Sequence, residues 1–160
     1  MKFKIIAAVG QNNELGKNND LIWNLPGDLK FFKEVTTGHT VLMGKNTFYS
    51  LPKVLPNRKN IVITDEYIDN DEIEQYNSLE EFYNKYQDSD DDVFIIGGGM
   101  MYAQFIDKAE ELYLTEIDAT DDEAETYFPT FDKTQYQKEI IRSNEDNGIK
   151  YHHVVYKKNK

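Results

Sequence analysis

The sequence predicts an α/β fold: a central mixed, mainly parallel β-sheet flanked by helices, with an antiparallel edge hairpin at the C-terminus. Three observations predict it. Short apolar runs closed by glycine, at 3–9, 40–43 and 93–96, have the length of buried strands rather than helices. Helical patterns separate these runs through the first two-thirds of the chain. Beyond Tyr127-Phe128-Pro129 the helical patterns stop and two extended segments follow. At 160 residues the chain is long enough for one good hydrophobic core, so residues 1–160 are expected to form a single domain.

The elements follow in order. Phe3 to Val9 is the first strand, ended by Gly10. Residues 10–20, with two Gly and four Asn, read as an irregular, mobile loop. Asn24 is the expected cap of a helix starting at Leu25-Pro26, and Leu25, Leu29 and Phe32 have the spacing of a buried helical stripe. Gly38 stops that helix. A strand over Thr40 to Met43 leads through Gly44 to a short helix from Thr47 to Leu51, and Asn60 to Thr64 is the next strand. Ser78-Leu79-Glu80-Glu81 matches a capping box and opens a helix to about Tyr86. Val93 to Ile96 runs into Gly97-Gly98-Gly99, then a helix over Met100 to Phe105. Residues 111–118 have strand composition, and extended segments near 134–141 and 149–157 are joined by an Asn-rich turn at 144–148.

The bulk composition excludes several classes. A formal net charge of −11 argues against a nucleic-acid partner, which needs clustered Lys and Arg. There is no cysteine, hence no disulfide framework or thiol nucleophile. No apolar run approaches a membrane span and no signal segment precedes the first strand, so a cytoplasmic protein without a membrane partner is expected. His39, His152 and His153 have no metal-ligand spacing and read as structural or surface groups; no metal site is expected.

Three places can carry chemistry. Asp28 lies one helical turn before Phe32 and beside Phe31, where a carboxylate near aromatic surface has a raised pKa. As a first-turn acid it equally serves the helix dipole. Gly44-Lys45-Asn46-Thr47 is a strand end leading into a helix, suited to holding phosphate through backbone N–H groups, Thr47 and Lys45, and equally an ordinary turn. Gly97-Gly98-Gly99 permits close approach of a pyrophosphate to backbone, or makes a tight turn alone. Trp23, between the mobile loop and Asp28, is a candidate to pack over a bound ring.

In combination these pieces resemble the bacterial dihydrofolate reductases over nearly the whole chain. The resemblance is carried by Leu21-Ile22-Trp23-Asn24-Leu25-Pro26-Gly27-Asp28-Leu29, by Met43-Gly44-Lys45-Asn46-Thr47, by Leu55-Pro56-Asn57-Arg58-Lys59-Asn60 and by Ile96-Gly97-Gly98-Gly99 in family order. It implies the dihydrofolate reductase fold and reduction of 7,8-dihydrofolate to 5,6,7,8-tetrahydrofolate by a hydride from NADPH, by a monomer. It implies that Asp28 binds the pteridine N3 and 2-amino group with Thr115 in support, and that Ile6, Ala8, Leu29, Phe32, Leu51, Leu55 and Ile96 line the folate slot. Arg58, with Lys33 nearby, would grip the glutamate tail. Lys45, Thr47 and Thr64 would hold cofactor phosphates, and Gly97-Gly98 would be a cis peptide lying with Gly99 and Met100 against the pyrophosphate. Ala7, Gly16, Gly44, Asn46, Asp65 and Tyr102 complete the implied cofactor set. Leu21 and Trp23 belong to a lid over residues 10–24, with a water beside Leu21 as the proton donor.

The chain departs from that pattern at Ile22, Asn46, Asp65 and Met100. The last three remove positive charge or add negative charge where a 2′-phosphate is expected, so the margin of NADPH over NADH narrows. The acidic stretch 121–125 is about one residue longer than usual by the same comparison. Two other accounts stay open on the residues alone: a related riboflavin-pathway reductase, and a dinucleotide-binding protein without turnover.

Overall fold

The computed structural model describes residues 1–17 and 20–160; Asn18 and Asn19, part of the expected loop, lie outside the described residues. In chain order the strands and helices are β1 (Lys2–Val9), β2 (Glu14–Lys17), β3 (Asp20–Leu21), α1 (Pro26–Thr36), β4 (Thr40–Gly44), α2 (Lys45–Ser50), β5 (Lys59–Ile63), β6 (Glu74–Tyr76), α3 (Leu79–Tyr86), β7 (Asp92–Gly97), α4 (Gly99–Phe105), β8 (Glu111–Ile117), β9 (Thr126–Tyr127), β10 (Tyr136–Asp146) and β11 (Ile149–Lys158).

Eight strands form one sheet in the order β10-β11-β8-β1-β7-β4-β5-β6. The run from β8 to β6 is parallel, and β11 and β10 add antiparallel to the β8 edge. This is the mixed, mainly parallel sheet with an antiparallel C-terminal edge that the alternation of patterns predicts.

The apolar runs are continuous because the sheet is covered on both faces. Successive side chains alternate between two clusters. Ile5, Leu42, Ile61, Val93 and Ile95 go to the face packed by Phe82 of α3 and Phe105 of α4. Ile6, Val41, Met43, Val62 and Phe94 go to the face packed by Phe32 and Val35 of α1 and Phe48 of α2. Among the described residues no helix is long and apolar enough to cross a membrane.

Several local expectations are corrected. The 10–20 segment is not an irregular loop throughout, because β2 and β3 join β9 in a small antiparallel sheet. Glu14, only 1% exposed, supports this by accepting from the Asn12 and Asp121 N–H groups, at 2.7 Å each. Asn24 does not cap α1: Leu25 is the N-cap, and no side-chain bond caps the end. The Leu25-Leu29-Phe32 stripe is not buried as a unit, since Leu29 is 52% exposed while Phe31 and Thr36 are the buried residues of α1. Leu25 is buried in a satellite cluster and Phe32 packs against the second cluster, so only Leu29 of the stripe faces outward.

α2 begins at Lys45, two residues before the expected Thr47. At the other end of the chain β10 extends through Asp146, so 144–146 is strand and the turn is only Asn147-Gly148. Both have positive φ, 53° and 79°, as a two-residue hairpin turn of the I′ kind requires. At α3 the capping box forms with a shift: Ser78 accepts from the Glu81 N–H, while Glu81 accepts from Asn77 rather than from Ser78.

Candidate active site

The parallel strands end together, and a cleft of about 530 Å³ opens at their carboxyl ends. Ala8 contributes from β1, Gly44 from β4, Ile63 from β5, and Ile96 with Gly97 from β7. The turns that follow add Lys45, Asn46 and Thr47 on one side and Gly98, Gly99 and Met100 on the other. Gly16 and Leu21 close the cleft from the small sheet, and Tyr102 forms its floor. The Tyr102 hydroxyl donates to the Ile6 carbonyl at 2.8 Å, tying α4 to β1.

The glycine run is shaped by Thr47. A Cβ on Gly97 would lie 2.8 Å from Thr47 Oγ1, and Gly97 has a φ of 141°, a conformation that L side chains rarely adopt. A Cβ on Gly99 would meet Thr126 at 2.7 Å. Glycine is thus required at 97 for the two turns to approach each other and at 99 for the approach to β9, and the Gly97–Gly98 peptide is cis.

Beside this cleft lies an apolar cluster with an acid near it: the Asp28 charge acts on Tyr102, whose hydroxyl bonds the Ile6 carbonyl. Ile6 is buried in the second cluster, against which Phe32, Leu51, Leu55 and Ile96 pack. The Asp28 side chain is 17% exposed. Thr115 Oγ1 donates to Asp28 Oδ1 at 2.5 Å, joining β8 to α1 across 87 residues of chain. Burial raises the Asp28 pKa above the ordinary carboxylate value; the Thr115 bond opposes the shift and the Asp146 charge adds to it.

The remaining expected residues are placed as follows. Arg58 is half-buried, with Nη1 donating to Thr36 Oγ1 at 3.1 Å and its guanidinium 5.9 Å from the Phe32 ring centroid. It also lines a smaller recess of about 250 Å³ at the amino ends of β4, β5 and β7, away from the cleft. Lys33 and Leu29 are exposed on α1. Ala7 packs in the first core cluster with Tyr102. Trp23 packs against the satellite cluster of Leu25, Ile117 and Tyr151, its ring edge against Gly10, outside the cleft lining. Thr64 is 4% exposed, and its hydroxyl donates to the Glu66 carbonyl at 2.7 Å. Lys45 is paired with Asp65 at 2.8 Å and Glu66 at 3.4 Å.

Sequence reasoning missed two residues here. Asp146 accepts from the Gly27 N–H at 2.7 Å and from the Tyr151 hydroxyl, fixing the start of α1. His153, read as structural or surface, sits 1% exposed beside Thr115 and 3.7 Å from Asp28. The alternation Tyr151, His153, Val155 along β11 was the available signal, since all three share a buried face.

A parallel sheet with a glycine-lined cleft at its strand ends, next to an apolar cluster with a mostly buried carboxyl group near it, defines the class as α/β proteins with a strand-end ligand site. Comparison with known proteins agrees. The family described as dihydrofolate reductase matches residues 2–158. The chain is 37% identical over 140 residues to a dihydrofolate reductase of Haemophilus influenzae, covering 88% of this chain and 86% of that one. It is 35% identical over 159 residues to that of Bacillus subtilis, covering 96% and 92%. It is 33% identical over 168 residues to the dihydrofolate reductase HdrB of Haloferax volcanii, covering 99% and 84%. The chain belongs to the dihydrofolate reductase family.

Proposed function

We propose that the protein reduces 7,8-dihydrofolate to 5,6,7,8-tetrahydrofolate with NADPH. The observation that carries the reading is the Asp28 carboxyl group, mostly buried and held by Thr115 at 2.5 Å. An acid there satisfies the adjacent ring N–H and amino group of a pterin, an arrangement a purely apolar pocket would leave unpaired. The family match across residues 2–158 supports one working domain.

The residues present suit a dinucleotide. The turns at 44–47 and 97–100 meet where a Cβ on Gly97 would clash with Thr47, leaving backbone N–H groups and the Thr47 hydroxyl for phosphate oxygens. When bound, the reduced nicotinamide supplies the hydride. Ile6, Phe32, Leu51 and Leu55 form the apolar wall that orients the pterin, and Arg58 pairs with the glutamate tail. Asp28 fixes the ring through its amino edge and polarises it. Leu21, 56% exposed at the cleft, governs entry of the water that protonates N5. Positioning and exclusion of bulk water supply much of the rate.

A specific observation bears on the cofactor. Asp65 and Glu66 already neutralise Lys45, so a 2′-phosphate has to compete with two carboxylates for that cation. We therefore propose NADPH with an unusually small preference over NADH. The test is nicotinamide oxidation by purified protein with dihydrofolate, run in parallel with both cofactors and with Asp28→Asn. The expected result is substrate-dependent oxidation, faster with NADPH and largely lost in the variant. Full activity in Asp28→Asn would overturn the role given to the acid, and no oxidation by a folded, cofactor-binding sample would overturn the reaction.

A further inference from the structure

Three polar side chains from three elements meet, and the reaction as proposed uses only two of them. Thr115 of β8 and His153 of β11 are direct cross-strand partners. Thr115 Oγ1 lies 2.5 Å from Asp28 Oδ1 and 2.9 Å from His153 Nδ1. His153 is 1% exposed and stacks on Phe31 with ring centroids 3.9 Å apart.

The donor count constrains this chain. A hydroxyl has one proton to give, a carboxylate only accepts, and a neutral imidazole has one donor nitrogen and one acceptor. With Asp28 ionised, Thr115 donates to it, so His153 must donate to Thr115 from Nδ1. With Asp28 protonated and donating to Thr115, the Thr115 hydroxyl turns to donate to Nδ1, and His153 carries its proton on Nε2. The second state differs from the first by one proton, on Asp28; the imidazole keeps one proton, moved from Nδ1 to Nε2.

We infer that Asp28, Thr115 and His153 form a hydrogen-bond chain of reversible polarity, in which His153 changes tautomer as Asp28 gains or loses its proton. His153 is a positioning residue: it reaches the substrate only through Thr115 and Asp28, and it offers the Thr115 hydroxyl a donor in one protonation state of the acid and an acceptor in the other. The inference deepens the proposed function and rests on it for its effect on turnover.

The surroundings are compatible with a neutral imidazole in both states. Burial, with Arg142 adding, lowers the His153 pKa to about 4. The groups facing the chain are otherwise engaged. Arg142 of β10, the cross-strand partner of His153, pairs with Glu34 of α1 at 3.2 Å. Asp146 of β10 is held by Gly27 and by Tyr151 of β11. Tyr102 of α4 donates to the Ile6 carbonyl.

Removing His153 affects the two states unequally. Beside ionised Asp28, Thr115 merely loses a donor to its lone pair. Beside Asp28 protonated on Oδ1, the Thr115 O–H is left buried without an acceptor, the costlier fault, unless the proton moves to Oδ2. His153→Phe, which retains an aromatic ring against Phe31, should therefore lower the Asp28 midpoint by about one pH unit.

The experiment follows the imidazole nitrogens of His153 and the Asp28 carboxyl carbon by NMR on the ligand-free full chain, together with the pH profile of kcat/KM. The expected result is Nδ1-protonated His153 above the Asp28 midpoint and Nε2-protonated below it, a fixed tautomer in Asp28→Asn, and the downward displacement of midpoint and profile in His153→Phe. A single tautomer throughout the wild-type titration overturns the inference. So does a tautomer change that persists in Asp28→Asn, or an unmoved Asp28 midpoint in His153→Phe. A switching tautomer in a protein that fails to turn over dihydrofolate would leave the inference standing and remove the proposed function; turnover with a fixed tautomer would do the reverse.

Discussion

Asp28 is a residue at which stability and function pull apart. Because burial raises its folded pKa, the native state binds more protons than the unfolded chain from the ordinary carboxylate range upward. Stability therefore falls as pH rises through that window, and at neutral pH the ionised group is a net cost. Asp28→Asn keeps an acceptor for Thr115 and removes the charge. Thermal melts at neutral pH should show an unchanged or higher Tm, while kcat/KM for dihydrofolate falls about a hundredfold or more. A lower Tm would mean that the carboxylate is better solvated than its burial indicates.

His153 has the opposite sign. Its folded pKa is depressed from 6.5 to about 4, so the stability it contributes is present above 6.5 and is lost as pH falls toward 4. Denaturant titrations across that window should show a smaller slope with pH in His153→Phe than in the parent chain. At Lys45 the relevant partners are exposed, and the expected effect is one of selectivity. Asp65→Ser releases the ammonium group from its nearest carboxylate, and the ratio of kcat/KM for NADPH over NADH should rise, by roughly fivefold at most for a solvent-screened pair.

At the scale of elements, the two strand-end turns are set by mutual fit. Gly97→Ala would drive a Cβ into the Thr47 hydroxyl at a φ of 141°. It is expected to cost about 1–3 kcal/mol of stability and to abolish detectable cofactor binding, both measurable on the same sample by calorimetry. The α3 cap provides the contrast. Ser78 satisfies the Glu81 N–H on a helix packed toward the β6 edge, so Ser78→Ala should lower stability by about 1 kcal/mol and leave kcat/KM unchanged. The element scale is also where short strands escape notice. β3 and β9 are two residues each and β6 three, too short for any periodicity, and they form only because a neighbouring edge offers them backbone partners. Asn147-Gly148 was readable as a hairpin turn, but the wider Asn-rich context spread the expected turn across residues that are strand.

For the whole molecule, the formal net charge of −11 opposes the approach of an anionic cofactor and an anionic substrate. The local cations at the site are few, and Lys45 is already paired. Raising ionic strength from near zero to about 0.15 M shortens the screening length to about 8 Å and should increase kcat/KM for both ligands; a decrease would indicate that local attraction at the cleft outweighs the global field.

The sequence by itself determined the sheet's parallel strands, their order of appearance in the chain and the antiparallel tail. A strand covered on both faces must be apolar along its whole length, and glycine must stand where its end turns closely into the next element. It also singled out Asp28 and the two glycine-bearing turns, because an acid among aromatics and a triple glycine are costly in isolation, while the apolar residues expected around the pterin came from the family resemblance. What only the tertiary structure decided is which distant groups complete them. His153 joins Asp28 and Thr115, a pair the family resemblance already implied, through the register of β8 with β11, Asp146 reaches Gly27 across 119 residues, and Asp65 captures Lys45 between separate strand ends. None of these pairings leaves a local trace, since hydrogen bonds and ion pairs depend on the separation of atoms in space, whereas periodicity and turn chemistry record only neighbours along the chain.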